Sequence, residues 1–179
     1  PAAELGSPAV TIEYLDIHAN GALPPLPARD KIHSIEELAR LAEEARAKGG
    51  DVVLAHGVFD LLHMGHVRHL EAARAEGDLL IVTLTADRYV NKGPGRPVFP
   101  EPMRAEMVAA LRCVDGVGIS NWSTAEGVIR FIRPTVFIKG QDYAAEAEDI
   151  TGGIRREREL VESFGGRVVF TDDITFSSS

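Results

Sequence analysis

The hydrophobic positions along the chain fall into two alternating kinds of run. Short apolar stretches occupy residues 52–55, 79–84, 116–119, 136–138 and 167–170. Stretches of this length, bounded by glycine or proline, fit strands buried on both faces of a parallel sheet. Between them apolar residues recur at helical spacing, as at Leu38, Leu41 and Ala45 and again at Val67, Leu70 and Ala73. Ser34 with Glu37, and Ser123 with Glu126, have the spacing of capping boxes, while Gly49-Gly50, Gly77 and Gly165-Gly166 supply stops. The pattern predicts helices beginning near Ser34, Gly65, Glu101, Ser123 and Ile154.

Strand–helix–strand repetition with right-handed crossovers predicts an α/β fold: a Rossmann-like, doubly wound parallel sheet of about five strands with helices on both faces. Sites in such sheets lie beyond the C-terminal ends of the strands, which points to the loops after Ala55, Thr85 and Ile138 and to the tail after Phe170. Residues 1–30 read differently. A strand-like alternation over residues 10–17 is followed by Pro24-Pro25-Leu26-Pro27, which imposes extended, unpaired backbone. We expect an N-terminal appendage and linker over 1–30, lying outside the central sheet, and one α/β domain over 31–179.

Composition narrows the function. Hydrophobic residues make up 45% and charged residues 26% of the 179, as in ordinary globular proteins. No apolar run approaches the roughly 20 residues of a membrane-spanning helix, and the N-terminus lacks the order of a secretory signal. The single Cys113 excludes an intramolecular disulfide and a cysteine-cluster metal site. These features set the expectation of a cytoplasmic protein without a membrane partner. A net charge of −8 argues against a nucleic-acid partner, yet leaves room for a nucleotide held by a local cluster of donors. Two lysines sit in such a context, in the pairs Lys92-Gly93 and Lys139-Gly140, where glycine lets backbone approach a phosphate.

Four of the six histidines fall between His56 and His69, around the string Gly57-Val58-Phe59-Asp60-Leu61-Leu62-His63-Met64-Gly65-His66. His63 is expected in the loop leaving the first strand and His66 at the start of the next helix. A helix N-terminus presents free N–H groups and partial positive charge, so it holds phosphate. An imidazole there can donate a further N–H as charge grows on the phosphate in a transition state. Gly65, lacking a side chain, would let the backbone approach a triphosphate. A zinc site would need further ligands at suitable spacing, and neither cysteine clusters nor H-E-x-x-H occur. His56 and His69 are expected to be internally satisfied or on the surface, and Asp60 either orients an acceptor group or caps the turn.

Placed between a buried strand and a helix, the string resembles the G-x-F-D-x-x-H-x-G-H signature of the HxGH nucleotidyltransferase superfamily. The resemblance runs from about Lys31 to the end and is strongest to the heptose 1-phosphate adenylyltransferase branch. It rests further on Asn91-Lys92-Gly93-Pro94-Gly95-Arg96-Pro97-Val98, on Phe137-Ile138-Lys139-Gly140-Gln141-Asp142-Tyr143, on Arg104 ahead of Cys113-Val114-Asp115, and on the closing Thr175-Phe176-Ser177-Ser178-Ser179. Two departures stand out: His56-Gly57-Val58 replaces that branch's asparagine-glycine-cysteine, and the tail lacks the arginine and glycine of the glycerol-phosphate cytidylyltransferases.

The resemblance implies an enzyme that joins an NTP, ATP in first place, to a sugar phosphate such as a heptose 1-phosphate and releases pyrophosphate. It implies catalytic roles for His63, His66, Lys92 and Lys139, and nucleotide or phosphate binding by Gly57, Val58, Phe59, Gly65, Arg104, Ser177 and Ser178. Asp60, Arg96 and Asp142 are the implied acceptor-binding residues. Mg²⁺ is expected to arrive with the NTP, with no metal ligand assigned to the protein. A homodimer is expected, and a ribokinase-like sugar kinase is the implied fused or cooperating partner. The alternatives are a cytidylyltransferase acting on an alcohol or sugar phosphate, and a nucleotide-sensing module without turnover. A Rossmann dehydrogenase is disfavoured, because G-x-G-x-x-G does not follow the first strand.

Overall fold

The computed structural model describes residues 27–140 and 152–171. The strand-like alternation of residues 10–17, the Pro24–Pro25 stretch, Asp142, Ser177 and Ser178 lie outside the described residues. A single 3₁₀ turn, Ala28–Lys31, precedes α1 (Ile35–Ala47). Then follow β1 (Val52–Gly57), α2 (Met64–Ala75), β2 (Leu79–Thr85), a 3₁₀ turn at Asp87–Tyr89, and α3 (Glu101–Ala109). The chain continues through β3 (Gly116–Ser120), α4 (Ala125–Ile132), β4 (Val136–Gly140), α5 (Gly153–Ser163) and β5 (Arg167–Thr171).

The five strands form one sheet in the order β3-β2-β1-β4-β5, and every pairing is parallel. β1 pairs with β2 from Val52 opposite Leu79 to Gly57 opposite Leu84, and with β4 from Val53 opposite Val136 to Ala55 opposite Ile138. The sheet is buried on both sides, so Val52 through Ala55 are all fully shielded, which is why β1 reads as a continuous apolar run. Side chains alternate between two cores. Val53, Ala55, Val82 and Leu84 pack with Leu70 and Ala73 of α2 and Val108 of α3. Val52, Leu54, Ile81 and Phe137 pack with Leu38 of α1, Ile129 of α4 and Val161 of α5. The doubly wound expectation is met, and the strand order reverses between β1 and β4, the switch point at whose C-terminal edge sheets of this kind carry their sites.

Helix starts were legible to different degrees. Ser34 caps α1 in a full capping box with Glu37, as predicted. The box predicted from Ser123 and Glu126 does not form. The helix takes Thr124 as its N-cap, one residue later than predicted, which puts Glu126 at the second helical position and Gly127 at the third; Thr124 makes no side-chain cap bond, and the Glu126 carboxylate lies 3.0 Å from Arg156 on α5. The described residues just ahead of α1 contact the sheet unit. Ala28 packs against the core, Arg29 pairs with Glu106, and buried Lys31 donates to the Leu111 and Val114 carbonyls at 3.1 and 2.9 Å.

Candidate active site

The C-terminal edge of β1 carries the histidine string. After Gly57 the chain turns through Phe59, a buried residue held at φ 48°, a left-handed conformation unusual for an aromatic side chain. Such backbone strain persists where surrounding packing fixes it and clusters at functional sites. The turn brings the chain to α2, whose N-cap is His63 itself. Its Nδ1 accepts from the Gly65 N–H at 3.1 Å, and the His63 N–H points back to His66 Nδ1 at 3.4 Å. The two imidazoles lie with ring centres 4.0 Å apart and planes tilted by 36°, and the centre of the Phe59 ring is 5.4 Å from that of His66.

Gly65 has a sharper role than backbone access to a ligand. A Cβ there would stand 2.8 Å from His63 Cε1 and 3.0 Å from its Nδ1, so glycine is what admits the His63 ring over the helix end. Because Nδ1 of His63 accepts a backbone N–H, the proton of the neutral ring resides on Nε2, the atom left for a ligand. His66 is pushed down to a pKa of about 4 by burial first, then by the charges of His63, His69 and Lys92. A hydrogen bond to the Leu61 backbone opposes this and is outweighed. At neutral pH His66 is therefore an uncharged donor at the positive end of a helix, a suitable partner for phosphate.

Lys92 lies exposed in the loop after β2. That loop is tied down at its far end by Asp60, which is buried and accepts from Arg96 Nη1 at 2.7 Å and from the Val98 N–H at 2.6 Å. Burial works to raise the Asp60 pKa, but the bonds from Arg96, Val98 and Phe99 outweigh it and hold the carboxyl below its ordinary value. Asp60 and Arg96, both expected at the acceptor, are thus paired with each other; Arg96 keeps an exposed flank and Asp60 does not.

Arg104 differs more from expectation. Its guanidinium is fully enclosed rather than open to a phosphate. It donates to the carbonyls of Phe99 at 3.0 Å, Thr85 at 2.9 Å and Val58, and pairs with Asp87 at 2.7 Å. One side chain thereby joins the ends of β1 and β2 to the entrance of α3. Gly57 and Val58 are half-buried at the end of β1, so their position, not a side chain, is what they offer the site.

Lys139 sits near the C-terminal end of β4, the strand paired with β1. Its ammonium lies 2.6 Å from Glu157 on α5 and 5.3 Å from the centre of the Phe137 ring. On the neighbouring strand His56 is held neutral, its pKa pushed down to about 4 by burial first and by the Lys139 charge second. His56 bonds Thr83 at 2.9 Å, and His69 bonds Thr171 at 2.6 Å, so both are internally satisfied as expected. The sequence reading missed Asp87 and Glu157, the acidic partners of Arg104 and Lys139. No spacing rule links residues on different elements, and neither belongs to a motif. Among the described residues no group of three or more His, Cys, Asp or Glu could hold a metal ion, and no helix is long and apolar enough to cross a membrane.

A family model described as cytidylyltransferase-like matches residues 54–178, which include the whole histidine string, the Lys92 loop and Lys139. The chain belongs to the cytidylyltransferase-like family of nucleotidyltransferases. Its relatives include the bifunctional protein HldE of Syntrophotalea carbinolica, 39% identical over 171 residues, or 94% of this chain and 33% of that protein. HldE of Trichlorobacter lovleyi is 41% identical over 168 residues, 93% of this chain and 32% of that protein. The chain therefore spans about a third of the length of the curated relatives it matches. Among solved structures, the lipopolysaccharide core biosynthesis protein from Thermoplasma volcanium superposes with a TM-score of 0.59 at 22% identity, covering 71% of this chain and all of that one. A pantoate-beta-alanine ligase from Francisella tularensis gives 0.56 at 15% identity, covering 78% and 66%. These two likenesses concern the fold.

Proposed function

We propose that this cytidylyltransferase-like domain transfers a nucleotidyl group from an NTP, ATP in first place, to a sugar phosphate such as a heptose 1-phosphate. The observation that carries the reading is the His63–His66 pair, ring centres 4.0 Å apart at the N-terminus of α2, with His66 half-buried and uncharged. A phosphate oxygen of the acceptor attacks the α-phosphorus, the bond to the bridging oxygen breaks, and pyrophosphate leaves with that oxygen. Protein groups need only position the reactants and match the migrating charge. The histidine N–H groups stabilise charge on the α-phosphate, and Lys92 and Lys139 neutralise the departing pyrophosphate. Mg²⁺ enters as part of the substrate, bound to the triphosphate.

Asp60, Arg96 and Arg104 contribute in this reading by holding the loops that present those groups, with the open flank of Arg96 able to meet the acceptor. Asp142, Ser177 and Ser178 keep the acceptor and phosphate roles that the resemblance implies. The relatives' name, bifunctional, and their threefold greater length support a second catalytic unit working beside this one, proposed as a ribokinase-like sugar kinase in a cytoplasmic homodimer. CTP is the second reading for the donor, since the matching family is named for cytidylyl transfer. The test is pyrophosphate release from the protein with Mg²⁺, each of the four NTPs and a panel of sugar and alcohol phosphates. ATP with a sugar 1-phosphate should give the fastest release. Tight NTP binding with no release for any acceptor would point instead to a sensor.

A further inference from the structure

We infer that Glu157 is a positioning residue that holds Lys139 as a counter-ion while the nucleotide site is empty and yields it to the triphosphate when the NTP arrives. The inference rests on the nucleotidyl-transfer reading of Lys139. Lys139 lies one residue before the end of β4, at the C-terminal side of the sheet where sites of this fold lie, and Glu157 stands about one turn into α5 beside it. Both side chains are only 12% exposed, and their charged atoms are 2.6 Å apart. The Glu157 Oε2 atom is shielded from solvent and has no hydrogen-bond partner among the described residues, so the ammonium beside it is what compensates its charge.

A buried ion pair contributes little net stability, because desolvation offsets the attraction. A pair of this kind at a site edge has a different use. It keeps the ammonium desolvated and close to where phosphate will sit. When a triphosphate enters, it competes with Glu157 for the same ammonium, and the carboxylate repels the incoming anion. Glu157 therefore weakens nucleotide binding through Lys139, which a purely structural salt bridge would not do.

The test is calorimetric titration of the full 179-residue chain with α,β-methylene ATP and α,β-methylene CTP, each with Mg²⁺. For whichever analogue the wild type binds, Glu157→Gln should lower Kd by about threefold or more, the lower range for coupled neighbours. Glu157→Asp, with a shorter reach to the ammonium, should give a smaller tightening and serves if the glutamine variant does not fold. In a Lys139→Met background, adding Glu157→Gln should lose most of its effect. Unchanged or weaker binding in both folded Glu157 variants overturns the inference alone, as does full tightening in the Lys139→Met background. A wild type that binds neither analogue, or a Lys139→Met protein that binds like wild type, overturns the parent reading of the site and this inference with it.

Discussion

Arg104 separates a structural brace from a phosphate ligand more cleanly than any other residue of the site. Its guanidinium is fully enclosed and serves the carbonyls of Val58, Thr85 and Phe99 together with Asp87. Replacing it by methionine keeps much of the volume and leaves those acceptors unpaired. Each orphaned buried acceptor costs about 1–3 kcal/mol. Asp87, at 38% side-chain exposure, regains water and adds little. Water entry and packing by the methionine offset part of the sum, so Arg104→Met should destabilise by about 3–5 kcal/mol, as on removing one partner of a buried ionic group. For a domain of this size that is a fall in Tm of roughly 6–20 °C.

The assay is thermal unfolding of wild type, Arg104→Met and Arg104→Lys, beside nucleotide binding at a temperature where all three are folded. Arg104→Lys keeps the charge but cannot span four acceptors, so it too should lose stability, by a smaller amount. A Tm within about 2 °C of wild type in both variants, with binding nonetheless abolished, would refute the brace. Arg104 would then be a direct phosphate ligand, exposed by a rearrangement of the loops it touches here.

The two histidines of the pair should act on turnover: His66→Ala and His63→Ala should each lower kcat by about 10²–10³ with much smaller changes in analogue binding, and full activity in His66→Ala would sink the assignment. His69→Ala should keep a near-wild-type rate, and purified protein should carry no stoichiometric zinc by metal analysis; zinc loss with unfolding across the histidine variants would indicate a metal site instead. His56 titrates at about 4 in the fold against an ordinary 6.5, so the unfolded chain takes up its proton first as pH falls. The resulting stabilisation is whole above pH 6.5 and drains away towards pH 4, by roughly 3 kcal/mol for this group. Chemical denaturation across that window should show the slope, and a His56→Gln variant with an unchanged slope would contradict it.

What the sequence reveals and what it conceals divide along a physical line. The sheet, its two-sided burial and the α1 cap depend on residues within one turn or one strand of each other, so periodicity and the Ser34–Glu37 spacing expose them. The His63–His66 pair is legible for the same reason, although its use of Gly65 to seat one ring on the helix end emerges only in the folded chain. Ser123 and Glu126 have the same spacing as Ser34 and Glu37, yet α4 takes Thr124 as its N-cap and the Glu126 carboxylate pairs with Arg156, thirty residues away. Local rules cannot foresee such a pairing, because the partner is chosen by proximity after the elements have packed. The same holds for the cations of the site. Lys92 and Arg104 occupy equally plausible motif positions, but the fold leaves Lys92 in solvent and encloses Arg104 among three carbonyls and Asp87. A motif thus identifies which groups bear charge, and packing decides which of them remain available to a ligand.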